Sequence, residues 1–320
     1  MAAMIKPSIL TVTLNPAIDT VYRLEYLKIG RSTRTKSPLK TAGGKGLNVT
    51  RVLSILGESV TATGFLGGSN GNFIRKELSN LGVRDEFVQI AGETRQCLAF
   101  NDSRNNQTEI LEEGPFISGL EQEELRHRLS ILIPEAQILI VSGSLPLGVS
   151  NSLYQWMIKE AKNHGVKVLL DTSGEALAES LSYGPYLIKP NREELEGLLG
   201  RPCREETEIW KSMEKIAENG IEIVIVSDGE RGSFVYYKGE RMKVATAEIR
   251  AVSPVGSGDS FIAGFAAGLS KGYSVKDTLI LASACGSANA MEERTGYINL
   301  QNLNTLIEQI SINSTWSGSL

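Results

Sequence analysis

From residue 121 onward the chain alternates short, nearly uninterrupted apolar runs with stretches of helical spacing. The runs at 137–141, 167–170, 186–188 and 221–226 are built almost wholly from Ile, Val, Leu and their like. Helical stretches follow them at 153–163, 191–199 and 205–218. A strand that is apolar at every position must be covered on both faces. A parallel sheet whose crossover helices pack on either side supplies both covers. This pattern restricts the chain to the α/β class. Two further runs, 233–237 and 240–246, flank Lys238-Gly239 and read as an antiparallel hairpin at the sheet edge. Helices are predicted at about 258–271, 275–291 and 302–311, and the tail from 313 to 320 is expected to fray.

The first 120 residues are richer in strands. A β-rich run over 8–14 ends at Asn15-Pro16, and residues 20–40 alternate like an exposed strand pair. The spacing predicts a helix over 46–57 stopped by Gly57, a strand over 60–66 and a helix over 72–81 closed by Gly82. Residues 95–112 form two alternating runs around 102–106, a hairpin pattern. The expected architecture is one α/β domain over 1–320, carrying a small β lid from the 20–40 and 95–112 segments.

With 320 residues, 41% hydrophobic and 22% charged, the chain has the composition of a globular protein with room for one large core. A formal net charge of −4 argues against a general nucleic-acid binder. Cys97, Cys203 and Cys285 are far apart and match no metal spacing, as expected in a reducing cytoplasm. No apolar run reaches the roughly 18 residues of a membrane span, so no membrane partner is expected. His127 and His164 lie among polar neighbours, which removes a histidine-based triad.

Val255-Gly256-Ser257-Gly258-Asp259 precedes an apolar helix. A glycine-rich turn at a helix start leaves backbone N–H groups free at the positive end of the dipole, a site for an anion. A carboxylate among those donors repels a resting phosphate, but it suits a base that takes a hydroxyl proton during transfer. As an alternative, Ser257 or Asp259 merely caps the helix. Gly43-Gly44-Lys45-Gly46-Leu47-Asn48 opens the first long helix and lacks both the Walker A and the Gly-x-Gly-x-x-Gly spacing. Asp19, placed just past the first strand, is positioned to accept hydrogen bonds from sugar hydroxyls, or else to cap a turn. Asn191 and Glu194 have the spacing of a capping box, and equally of a pair reaching a hydrated Mg²⁺. Ser227-Asp228-Gly229-Glu230-Arg231-Gly232 follows a buried strand and suits a turn or a phosphate or ribose contact.

Gly-Gly-Lys-Gly-x-Asn at 43–48, Asn-x-x-Glu at 191–194 and Gly-x-Gly-Asp at 256–259 occur in that order. Together they resemble the ribokinase-like (PfkB) carbohydrate kinase family over residues 7–311. Asn15-Pro16-Ala17-Ile18-Asp19 resembles its branch acting on sugar phosphates. The resemblance implies a ribokinase-like three-layer sandwich, with a mostly parallel central sheet and a small β-sheet lid. It implies ATP and Mg²⁺ as cofactors and phosphorylation of tagatose 6-phosphate at its C1 hydroxyl, with a kinase of fructose 1-phosphate or a non-enzymatic sugar-phosphate sensor as the alternatives. By the same resemblance Asp259 is the base, and the backbone of Gly256, Ser257 and Gly258 forms the anion hole. Asp19, Gly43, Gly44 and Asn48 bind the sugar, while Lys45, Arg95 and Lys28 face its phosphate. Lys189, Asn191, Ser227, Gly229, Gly232, Gly286 and Asn289 line the nucleotide pocket, and Glu194 and Asn191 hold Mg²⁺ through water. Pro254-Val255 stands where family members often have Thr. A homodimer formed through the exposed lid is also expected.

Overall fold

The computed structural model describes residues 9–36, 38–104 and 106–316. Two sheets organise these residues. The large sheet has eleven strands. Its parallel centre runs Ile223–Ser227, Leu187–Ile188, Lys167–Asp171, Ile138–Ser142, Ile9–Thr13 and Val60–Gly67, with Arg84–Asp85 and Val88–Ile90 also pairing Val60–Gly67. Ser233–Tyr237, Glu240–Val244 and Ile312–Trp316 extend the other edge antiparallel.

The central strands are apolar throughout because successive side chains enter different cores. Ile138, Ile140, Ile223 and Ile225 pack with helices Lys45–Ile55, Ser257–Ser270 and Val275–Ala290. Their neighbours Leu139, Val141, Val224 and Val226 pack with helices Ser152–Asn163 and Glu206–Ala217 on the opposite face. The two-residue period of a strand divides each run between two helix layers. A third core, with Ile18, Ala42, Leu47 and Ile74, joins the small sheet to helix Gly68–Asn80.

The small sheet has the order Leu39–Gly43, Ala17–Leu24, Arg95–Asp102, Gln107–Leu111. Its central pair is parallel and its outer pairs antiparallel. Three expectations change here. The strand pair expected within 20–40 is instead Ala17–Leu24 and Leu39–Gly43, with the intervening segment outside either strand. Asp19 therefore sits inside a small-sheet strand, not in a loop past the first strand of the large sheet. The tail expected to fray pairs with Glu240–Val244 over Ile312–Trp316, because that edge offers unpaired backbone groups; residues 317–320 lie outside the described set. Helices Gly119–Leu132 and Gly174–Ser180 also had no counterpart in the predicted elements.

Candidate active site

The carboxyl ends of the parallel strands, the small sheet and the amino end of helix Ser257–Ser270 enclose a cleft of about 1830 Å³. That is where ligands gather in open α/β sheets. Asp259 is 6% exposed and Asn48 donates to its Oδ2 at 2.8 Å. Burial is the main force raising the Asp259 pKa well above the usual carboxylate range, and repulsion from Asp171 adds to it. The Asn48 bond and the charges of Lys45 and Lys189 act the other way. A carboxyl held near neutrality is suited to taking a hydroxyl proton.

Gly256 has φ 83°, a left-handed conformation that favours glycine, and it caps the helix without a side-chain bond. Among the described residues the N–H groups of Gly256, Gly258 and Asp259 have no partner, whereas that of Ser257 donates to Pro254 O at 3.2 Å. The free donors are thus Gly256, Gly258 and Asp259, and Ser257 drops out of the expected set. Lys189 Nζ lies close against Gly258, so a Cβ added there would come within 3.1 Å of it.

A charge cluster completes this end of the cleft. Lys189 Nζ lies 3.6 Å and Lys45 Nζ 3.8 Å from Asp171 Oδ1, and Lys45 Nζ is also 3.8 Å from Glu194 Oε1. Asp171 above all raises the Lys45 pKa, so the ammonium stays charged. Lys45, expected at the phosphate the sugar already carries, instead sits among Asp171, Glu194 and Asp259. The helix beginning at Lys45 directs it there. Asp171 is 2% exposed, and neither of its carboxylate oxygens accepts a hydrogen bond from the described residues. Sequence reasoning missed this residue, because the apolar run was ended at 170. A carboxylate closing a buried parallel strand was the available signal.

In the small sheet, the Asp19 carboxylate lies over Gly43, where a Cβ would overlap it, so this close approach requires glycine. Burial raises the Asp19 pKa to about 6, against the pull of Arg51 and Arg95. Arg95 lines the cleft, but its guanidinium already donates twice to Asn15 O, at 3.3 and 3.1 Å, and once to Glu112 O at 2.7 Å. Two of its five N–H donors are left for a ligand. Lys28 does not reach the cleft; it lines a separate depression with Tyr26, Leu27, Ile29 and Arg31.

Asn191 and Glu194 form the capping box, with Glu194 N donating to Asn191 Oδ1 and Asn191 N to Glu194 Oε2, both at 2.8 Å. Glu194 keeps Oε1 toward Lys45, so capping and a role in the cleft coexist. Gly44, Ser227, Gly229, Gly232 and Gly286 line the same cleft. Asn289 does not. It is 1% exposed, accepts from Gly296 N at 2.8 Å and donates to Val255 O at 2.8 Å, fastening the 253–258 loop from behind. Its expected place at the nucleotide is therefore corrected to a structural one.

Residues 12–302 match the pfkB family carbohydrate kinase. The chain belongs to that family and is a carbohydrate kinase, a transferase of phosphoryl groups. It is 41% identical over 307 residues to the tagatose-6-phosphate kinase of Staphylococcus epidermidis, covering 95% of this chain and 99% of that one. The crystal structure of phosphofructokinase-2 from Escherichia coli in complex with fructose-6-phosphate superposes with TM-score 0.87 at 27% identity, covering 94% of this chain and 98% of that one. Arabidopsis thaliana ribokinase complexed with ribose and ATP shares the fold, with TM-score 0.77 at 22% identity over 95% of this chain and 99% of that one. The architecture is therefore ribokinase-like, as the motifs implied. Among the described residues no helix is long and apolar enough to cross a membrane.

Proposed function

We propose that the chain transfers the γ-phosphoryl group of ATP to the C1 hydroxyl of D-tagatose 6-phosphate, giving tagatose 1,6-bisphosphate and ADP. The observation that carries this reading is Asp259, a buried carboxylate at the mouth of a helix whose neighbouring N–H groups are free. Asp259 takes the hydroxyl proton as the C1 oxygen bonds to the γ-phosphorus. The bond from that phosphorus to the β–γ bridging oxygen breaks, and ADP leaves. The N–H groups of Gly256, Gly258 and Asp259, with Lys45 and Lys189, offset charge on the moving oxygens. Positioning and charge neutralisation are what phosphoryl transfer needs most.

Mg²⁺ fits this site. Asp171, at 2% exposure, brings two carboxylate oxygens that accept no hydrogen bond from the described residues, and Glu194 has an oxygen turned to the same cluster. Among the described residues no group of three or more His, Cys, Asp or Glu is poised for a metal. Mg²⁺ is commonly held by one or two carboxylates together with nucleotide phosphates and water. Bound there, Mg²⁺ would neutralise charge on the nucleotide phosphates.

Asp19, with Gly43 behind it, binds the sugar hydroxyls, and the free donors of Arg95 face the 6-phosphate. The chain acts as one kinase domain in which the small sheet is a lid that excludes water from ATP. The outer strand of that sheet, Gln107–Leu111, is exposed along its whole length, and a second copy covering it would give a homodimer. Sedimentation giving a monomer at assay concentration would exclude the dimer. Coupled ADP release with MgATP against tagatose 6-phosphate, fructose 6-phosphate, fructose 1-phosphate and unphosphorylated sugars tests the substrate. The highest kcat/KM is expected with tagatose 6-phosphate; a preference for fructose 1-phosphate would overturn the substrate and keep the base.

A further inference from the structure

Arg51 has no part in the catalytic steps proposed for the cleft, yet it is 8% exposed and its hydrogen bonds go to Asn48, Ala42 and Thr295. It lies one turn beyond Asn48 in helix Lys45–Ile55. Its Nη1 donates to Asn48 Oδ1 at 3.2 Å and to Thr295 O at 2.9 Å. Its Nη2 donates to the carbonyl of Ala42, in the small-sheet strand Leu39–Gly43. Three acceptors on three separate segments thus share one guanidinium.

A side-chain amide has an accepting end and a donating end. A donor held on Asn48 Oδ1 leaves Nδ2 to face the other way, where it donates to Asp259 Oδ2 at 2.8 Å. With the amide turned over, its oxygen would oppose the carboxylate instead. Asn48 cannot back away, because Gly296 lies against it so closely that a Cβ there would come within 2.7 Å of Asn48 Cα. We propose that Arg51 is a positioning residue: it orients the Asn48 amide that holds Asp259, and it ties that orientation to the small sheet through Ala42.

The assignment rests on the reading of Asp259 as the base. It also accounts for the residue type. The planar fork of arginine reaches several acceptors at once, whereas a lysine ammonium is a point charge that cannot span all three. The link to Ala42 reaches the strand paired with the one that carries Asp19, since Asp19 pairs with Thr41 in the same ladder. The position of the small sheet is thereby felt at the base.

A double-mutant cycle tests the proposal on the full chain. Arg51→Lys and Arg51→Gln are made alone and on the Asn48→Ala background, with folding followed by circular dichroism and thermal melting. Misplacing the base should lower kcat by on the order of 10–100-fold in the otherwise unchanged protein, with KM for ATP within about twofold. On the Asn48→Ala background the same substitutions should lower kcat by less than about threefold, because the amide through which Arg51 acts is gone. Equal losses on both backgrounds, or no loss on either, would overturn the proposal. Failure of both Arg51 variants to fold would overturn it too, making Arg51 a purely structural ion. Asp259→Asn, assayed first, separates the two assignments. A retained kcat there removes the base, while an inactive Asp259→Asn with an additive cycle removes only Arg51.

Discussion

Replacing Asp259 with Asn removes one proton acceptor and almost nothing else. The two side chains have the same shape, so no cavity opens, and the amide oxygen of Asn can still accept the Asn48 N–H that now reaches Oδ2 at 2.8 Å. Oδ1 accepts no hydrogen bond from the described residues, so no existing contact is lost on that side. Burial and Asp171 hold the folded-state pKa above the unfolded value. The carboxyl therefore favours folding while protonated, and that contribution is lost as pH rises through the folded pKa. Deleting the charge should leave Tm at neutral pH unchanged or slightly higher. Loss of a general base lowers rates by on the order of 10²–10⁴, about 3–5 kcal/mol of barrier. The assay is coupled ADP release at saturating MgATP and sugar phosphate across pH. The wild-type kcat should fall on the acid side, with a midpoint above the ordinary carboxylate range. The variant should keep its KM for ATP, lose activity by that factor and lose the acid limb. A kcat within tenfold of wild type, or an unchanged acid limb, would refute the reasoning.

Three further outcomes follow from the same geometry. Arg95→Ala should raise KM for the phosphorylated sugar by on the order of 10–100-fold and KM for ATP far less, because the proposed role of its two remaining donors is to hold the 6-phosphate; equal effects in initial-rate kinetics would remove it from the phosphate site. Burial is the chief cause raising the Asp19 carboxyl to about 6, and in its proposed role it accepts hydrogen bonds from sugar hydroxyls when ionised. KM for the sugar should therefore fall as pH rises through about 6 and then level, with the midpoint higher in Arg95→Ala because Arg95 pulls that pKa down. A pH-independent KM would contradict this. Asp171→Asn should raise the free Mg²⁺ needed for half-maximal rate by on the order of 10–100-fold, measured at fixed ATP, and an unchanged requirement would exclude Asp171 from the metal.

The sequence alone determined the α/β class, because strands apolar on both faces have few other ways to bury them. It also marked Gly256–Asp259 as a glycine turn with a carboxylate at a helix start, since these are all local properties. The family followed from three motifs in order, and the comparisons bear it out. What the sequence could not convey depended on groups far apart in the chain. Asp171 closes a strand that looked merely structural, yet folding sets it 3.6 Å from Lys189 and 3.8 Å from Lys45. Lys45 was legible as a cation, but the direction of its helix decided which anions it meets. Asn289 resembles a pocket residue until packing shows that its amide staples the 253–258 loop. The Ile312–Trp316 strand has a polar interior, and only the waiting edge of Glu240–Val244 makes it a strand. Local pattern encodes which surfaces must be buried; which charged groups converge is decided by chain closure over long separations, such as the sequence separation of 211 from Asn48 to Asp259.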